Sequence, residues 1–244
     1  MNNIWILCKR ELRGYFSSPI AYVFIVVFLL LSGLSTFYIG NFLGRGQADL
    51  VAFFSFHPWL YMLFIPAISM RLWSEERKSG SIELLFTLPL STWQVILGKY
   101  LAALLFTALS LALTCPLWFA VNYLGNPDNG VIVASYIGSL LMASSFLACG
   151  AAISALTKNQ VVAFILTLLC CLLMNLAGFP MLTDFLRGWM PDLIVSTISS
   201  FSFLTNFDTI SRGLLDVSGI IYFATLTMLS LFANAVIIET KKAD

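Results

Sequence analysis

The chain has 244 residues, of which 59% are hydrophobic and only 10% are charged. Soluble domains carry about 25% charged residues, so this composition excludes an ordinary soluble domain. The net charge of +1, without a basic patch, also argues against nucleic acid as a partner. Several apolar runs reach the roughly 20 residues needed to cross a bilayer, and they predict an all-α integral membrane protein.

Residues 1–17 form the first predicted element, an amphipathic helix in the plane of the lipid headgroups. Its basic face holds Lys9, Arg10 and Arg13, whereas Leu7 and Glu11 fit the pattern less well. A disordered tail is the alternative, and the two-turn apolar pattern favours the helix. Ser18 and Pro19 then predict the cap and first turn of a membrane span. The apolar face comprises Ile4, Trp5, Cys8, Leu12, Tyr15 and Phe16.

Six membrane spans are predicted, and six crossings place both termini on the same side of the membrane. Ten of the thirteen Lys and Arg residues lie on that side, which indicates that it is cytoplasmic. No break in composition divides the chain, so residues 1–244 are predicted to form a single transmembrane domain. The spans are at about 20–43, 51–70, 92–123, 131–156, 160–180 and 217–238. The ten basic residues are Lys9, Arg10, Arg13, Arg71, Arg77, Lys78, Lys99, Lys158, Lys241 and Lys242; the other three are Arg45, Arg187 and Arg212.

Residues 71–91, between the second and third spans, are predicted to be cytosolic. The second span continues past the bilayer and stops at Gly80. Ser81 then caps a helix of about two turns with Glu83 near its positive end, and Pro89 ends it. Ser91 and Gln94 have the spacing of a capping box for the third span. The short helix exposes Ile82, Leu84, Leu85, Phe86 and Leu88, which must be buried either in lipid or in a cytosolic partner; the residues alone slightly favour lipid.

The same stretch carries a resemblance to a known family. "RLWSEERKSGSIELLFTLPLSTWQVILGKYLAALLF" resembles the corresponding loop of ABC-2 type transporter permeases. The stretches "KRELRGYFSSPIAYVFIVVFLLLSGL", "ALTKNQVVAFIL" and "ISRGLLDVSGIIYF" resemble the gliding-motility-type branch of that family, so the likeness covers almost the whole chain. The recurring family positions are Glu75, Glu76, Gly80, Ser81, Glu83, Leu84, Pro89, Gly98 and Lys99.

The resemblance implies a permease subunit of an ATP-driven exporter in the bacterial cytoplasmic (inner) membrane. It implies two partners, a cytosolic ABC ATPase that holds ATP and Mg and a second permease copy, with an auxiliary envelope protein as a further candidate. Residues 1–17 would be an interfacial elbow, and residues 181–216 short extracytoplasmic or re-entrant helices. The short cytosolic helix would be the coupling helix that docks in the ATPase. The predicted coupling residues are Glu75, Glu76, Gly80, Ser81, Ile82, Glu83, Leu84, Leu85, Phe86 and Pro89.

No catalytic, metal or cofactor site is predicted in this chain. Gly125–Ile132 has the glycine spacing of a P-loop, but Val131 stands where the loop needs Lys. The acids all lie outside the predicted spans, which argues against an ion-driven transporter. Lys99 is expected to extend its ammonium to the cytosolic interface, and the lone His57 is more often a packing residue than a proton relay.

Two classes of function remain, together with one prediction about packing. The first class is the exporter permease; the second is a membrane scaffold of a cell-envelope machine that transports nothing. A secondary transporter ranks third because intramembrane charge is lacking.

Small residues in "ACGAAISA", above all Gly150 and Ser154, predict close packing between helices. The five cysteines have no metal-site spacing and are predicted to be buried free thiols.

Overall fold

A computed structural model describes residues 2–82, 87, 89–213 and 217–241, and the regular secondary structure in these ranges is helical throughout. This confirms the all-α prediction for the described part of the chain. A π-helical turn, Ser35–Ile39, extends the second helix. The helices are α1 (Asn2–Ser17), α2 (Pro19–Leu34), α3 (Val51–Ser55), α4 (His57–Ser69), α5 (Arg71–Ser79), α6 (Thr92–Ala112), α7 (Cys115–Leu124), α8 (Asn129–Leu156), α9 (Gln160–Leu176), α10 (Pro180–Arg187), α11 (Asp192–Ser200), α12 (Phe203–Ser211) and α13 (Val217–Thr240).

Four of the described helical stretches are long and apolar enough to cross a membrane: Pro19–Ile39, Thr92–Leu124, Asn129–Leu156 and Val217–Thr240. A fifth is obtained if α9 and α10, which meet at an angle of 67°, are counted together. The protein is therefore a multi-pass membrane protein. The predicted second span is instead divided between α3 and α4, and neither is as long as about 20 residues. Six crossings stay a prediction.

Local sequence signals set several helix ends where they were predicted. Ser18 accepts a hydrogen bond from the Ile20 amide at the start of α2, with Pro19 in the first turn. Ser91 and Gln94 form a complete capping box at the start of α6. These caps are confirmed, because a side chain that bonds the free amides of a first turn favours the helix start at that residue.

The ends of α5, α8 and α13 that are predicted to be cytosolic lie next to one another. Arg77 of α5 donates to the Ala155 carbonyl near the end of α8. Lys241, after α13, donates to the Leu156 carbonyl at 2.5 Å. The structure thus places Arg77 and Lys241, two of the ten predicted cytosolic basic residues, at the same end of α8. Its assignment to the cytoplasm stays a prediction from the positive-inside rule.

α8 is the central helix of the bundle, and its small residues let other helices approach closely. An added Cβ at Gly150 would lie 2.2 Å from Ser69 Oγ of α4 and 3.0 Å from Thr167 Cγ2 of α9. Ser154 Oγ accepts hydrogen bonds from the amides of Trp73 and Ser74, each at 3.2 Å. These contacts place two residues of α8 against the junction between α4 and α5.

A substitution at Gly150 tests this close packing. Gly150→Ala is expected to destabilise the protein by about 1–3 kcal/mol, because the new methyl group overlaps Ser69 and the side chains of a closely packed interior can shift only slightly. Gly33→Ala is the matched control, since a Cβ there meets nothing within 4 Å. Thermal denaturation in detergent measures both. Adding Ser69→Gly should recover part of the loss; equal stability of the Gly150 and Gly33 variants would contradict the packing.

Residues 181–216 contain the short helices α11 and α12 and most of α10. α12 packs into the bundle, where Phe203 stacks on Phe146 with 4.2 Å between ring centroids. Trp189 and Phe201 stay exposed. A re-entrant position of this segment in a membrane stays a prediction. The five cysteines are free thiols, and Cys8 and Cys171 are buried.

His57 lies inside an aromatic cluster. Its side chain is fully buried against the rings of Phe53, Phe54 and Tyr61. Nδ1 lies 3.0 Å from the Phe53 carbonyl oxygen. These contacts are those of a packing residue.

Candidate functional site

Lys99 joins the three helices α1, α5 and α6. Of these, α5 precedes residues 80–91 and α6 follows them. Its side chain lies about two turns into α6 and is 4% exposed. The ammonium is 2.7 Å from Glu76 Oε1 of α5 and 3.2 Å from Glu11 Oε2 of α1. The ammonium is thus paired with two partly buried carboxylates, and its position at the cytosolic interface of a membrane stays a prediction.

An aromatic ring completes this group. The Lys99 ammonium lies 5.5 Å from the centre of the fully buried Trp73 ring, within the range of a cation–π contact. Trp73 and Glu76 both lie on α5, whose first amides bond Ser154 of α8. We call Lys99, Glu11, Glu76 and Trp73 the Lys99 cluster. It fixes the relative positions of α1, α5 and α6.

The pKa of Glu11 shows how the Lys99 cluster is balanced. Burial opposes ionisation of this carboxyl, but the Lys99 ammonium and hydrogen bonds from Arg10 and Lys99 outweigh burial. The net result is a pKa below the ordinary value. Glu11 is therefore charged at neutral pH and is held by two cations, one from α6 and one from its own helix.

Gly98 explains how α1 comes close enough to α6. An added Cβ at Gly98 would lie 2.8 Å from Leu7 Cβ and 3.4 Å from the Ile4 carbonyl oxygen. Glycine thus permits close contact between the two helices. The adjacent Lys99 then reaches Glu11 one turn further along α1.

The buried face of α1 differs in detail from the predicted apolar face. Leu7 and Glu11, which fitted the pattern poorly, pack against α6, and Tyr15 stacks on Phe106 with 5.3 Å between centroids. Trp5 is 62% exposed. The basic residues Lys9, Arg10 and Arg13 are also exposed, as an interfacial helix requires.

α5 ends at a sharp turn. Gly80 has a φ of +72°, a left-handed conformation that glycine adopts readily, and it stops the helix where the sequence predicts. Ser79 and Ser81 hydroxyls lie 2.8 Å apart across this turn. Glu75 is exposed on α5, whereas Glu76 faces inward.

A family model described as "ABC-2 family transporter protein" matches residues 44–238. The chain belongs to this family. ABC-2 proteins of this kind are membrane permease components of ABC transporters, typically without catalytic activity of their own, and they work with a separate ATP-binding subunit. No curated protein matches the sequence significantly.

The predicted coupling residues of this ABC-2 permease are only partly described. Glu83, Leu84, Leu85, Phe86 and Leu88 lie outside the described residues. Gly80, Ser81 and Ile82 follow directly on α5, and Pro89 is exposed shortly before α6. The Lys99 cluster therefore joins the two helices, α5 and α6, that flank residues 80–91.

Two members of the Lys99 cluster, Glu11 and Trp73, had no predicted role at this site. An acid on an otherwise apolar helical face was the available signal for Glu11, since such an acid needs a cation when it is buried. Trp73 gave no signal beyond its position beside the paired acids. Among the described residues no group of three or more His, Cys, Asp or Glu side chains could hold a metal ion.

Proposed function

We propose that this ABC-2 protein is the permease subunit of an exporter in the bacterial cytoplasmic membrane. A cytosolic ABC ATPase supplies the energy and binds ATP and Mg, and residues Ile82 to Leu88 are the coupling helix that docks into it. A second copy of the chain completes the pathway. An auxiliary envelope protein is a further candidate partner.

The observation that carries this proposal is the placement of the Lys99 cluster. Residues 80–91 connect α5 to α6, and Lys99 links these two helices to each other and to α1. A push on the segment by a partner therefore moves α5 and α6 together instead of bending their ends separately. Such a connection suits a subunit that transmits ATP-driven motion into its membrane helices.

The paired acids of α5 take different roles in this proposal. Glu76 is committed to Lys99 and acts within the permease. Glu75, whose side chain is 56% exposed, is the acid of the pair that can meet basic groups of the ATPase. Glu83 and the apolar side chains of the coupling helix supply the remaining contact surface.

The test is purification of the tagged chain from its native membrane, followed by native mass measurement and ATPase assay. We expect two permease copies with two ATP-binding subunits, and hydrolysis that depends on the permease. Recovery of only non-ATPase envelope proteins would instead identify a scaffold. A single permease per active complex would contradict the homodimer, and a second, different permease would indicate a heterodimer.

A further inference from the structure

Two cavities lie side by side along α2, and the proposed coupling uses only Glu11 and Glu75 of their walls. The first cavity has a volume of about 260 Å³ and lies where α1, α2 and α5 converge. The second, of about 460 Å³, is a groove between α2, α4 and α9. Phe24 and Ala67 border both cavities, so the two adjoin.

The first cavity has charged groups in a partly apolar wall. Glu11, Arg71 and Glu75 line it, together with Gly14 and Ser18. Arg71 Nε is buried and has no hydrogen-bond partner among the described residues; its nearest carboxylate, Glu75 Oε2, is 3.7 Å away. The Arg71 side chain as a whole is 28% exposed and lines the cavity, so the rest of its guanidinium can be reached there, and a phosphate oxygen is an acceptor that arginine prefers.

The groove is apolar along its length. From α2, the residues Val23, Val27 and Leu31 recur once per turn along one side, and Leu63 of α4 and Phe164 of α9 complete the wall. Val23 to Leu31 covers about 12 Å along the α2 axis, close to half of the roughly 30 Å hydrocarbon thickness of a bilayer. The groove therefore matches the acyl region of one leaflet.

We propose that these two adjoining cavities together bind one zwitterionic phospholipid, with its phosphate on Arg71 and an acyl chain in the groove between α2 and α4. Charge selects the headgroup. Glu75 lies beside the Arg71 guanidinium in the same cavity, so the ammonium group of phosphoethanolamine is attracted there, whereas phosphatidylglycerol offers the same singly charged phosphate without an ammonium. This site goes beyond the proposed function, because it needs only insertion into the membrane and no ATPase.

The experiment measures lipid binding directly. The delipidated permease in detergent is titrated with palmitoyl-oleoyl phosphatidylethanolamine or the phosphatidylglycerol of the same chains, and native mass spectrometry counts the bound lipids. We expect one phosphatidylethanolamine per chain and weaker phosphatidylglycerol binding. Arg71→Gln should weaken phosphatidylethanolamine binding about tenfold, the loss of one charge-assisted contact.

Matched controls separate the site from general lipid contact. Arg187→Gln removes an arginine with the same 3.7 Å separation from an acid, Asp184, but outside both cavities, and should change nothing. Ala67→Trp, which fills the junction of the two cavities, should abolish retention, whereas Ala120→Trp on an exposed turn of α7 should not. Because Ala67→Trp could disturb packing, the Arg71 variant decides the question if that variant does not fold.

Three results would overturn the proposal. Equal affinity for the two lipids would remove the headgroup selectivity. Unchanged binding by Arg71→Gln would remove the phosphate contact. Spontaneous cross-linking of two chains through Leu63→Cys in native membranes would mean that a second copy covers the groove. ATPase binding is not part of these measurements, so their failure leaves the proposed function intact.

Discussion

Lys99→Met is expected to lower the free energy of unfolding by about 3 kcal/mol, because it leaves two partly buried carboxylates without their shared cation. Breaking a fully buried ion pair costs about 3–5 kcal/mol, and the low end applies since Glu11 and Glu76 are 22% and 20% exposed. Methionine keeps the apolar stem, so the change isolates the charge. Thermal denaturation of the purified protein measures the effect, and we expect a midpoint several degrees lower.

Second-site variants give this prediction its control. Combining Lys99→Met with Glu11→Gln and Glu76→Gln removes the unpaired charges and should recover much of the stability, because neutral groups of similar shape can replace a buried ion pair. Lys9→Met removes a lysine from the exposed face of α1 and should have almost no effect. A Lys99→Met protein as stable as the Lys9→Met protein would show that the Lys99 cluster does not hold the three helices together.

The lowered pKa of Glu11 predicts how the stability of the protein changes at acidic pH. A carboxyl whose pKa is lower in the folded state stabilises the fold above its unfolded value, and that contribution is lost as the pH falls through the folded pKa. The Glu11 contribution should therefore decline below about pH 4.5, the ordinary value. Without Lys99, only Arg10 opposes the effect of burial on the Glu11 pKa. Lys99→Met should therefore lose less free energy of unfolding between pH 5 and pH 3 than the unchanged protein. The same dependence of stability on pH in the Lys99→Met protein and in the unchanged protein would contradict this balance.

The parts of the fold that the sequence predicted are those set by local chemistry. Ser18, Gly80 and the Ser91–Gln94 pair each act on backbone groups within three residues, so their effect is visible in the sequence. Long apolar runs likewise identify membrane helices from composition alone. The division of residues 51–70 between α3 and α4 was missed, although Pro58 stands just after the break. Proline is also accepted in a first helical turn, so its position was ambiguous.

The Lys99 cluster was not predictable because its members are far apart in the sequence. Glu11 and Lys99 are joined across 88 positions, and the Trp73 amide meets Ser154 across 81. A single sequence holds no record of such contacts, so Lys99 was given the commoner role of a lysine near a membrane surface. Glu76 was assigned to a partner for the same reason, since two adjacent acids on a helix look equally exposed until the packing of α5 is known.

Leu85→Ala with Phe86→Ala is the substitution pair expected to have the largest effect on activity. If these side chains dock in the ATPase, each truncation should cost about 2–5 kcal/mol of packing at the contact. Together they should abolish substrate-stimulated ATP hydrolysis in reconstituted membranes, with normal insertion of the permease. Recruitment of the ATPase, measured by pull-down, should fall in parallel. Glu83→Ala should cost much less, about 1 kcal/mol, mainly through a weaker helix start.

Lipid, the alternative burial site for the proposed coupling helix, predicts a different order of effects. In that case the double variant would loosen anchoring at the interface but would still recruit the ATPase. Leu193→Ala with Phe185→Ala is the matched control, because it removes the same side chains from exposed positions between α9 and α13. We expect the control to keep full coupling. Since the Lys99 cluster holds α5 and α6 together, the Leu85 and Phe86 variant should also leave thermal stability unchanged, which separates lost docking from lost folding. Normal recruitment and normal hydrolysis in that variant would rule out the coupling helix.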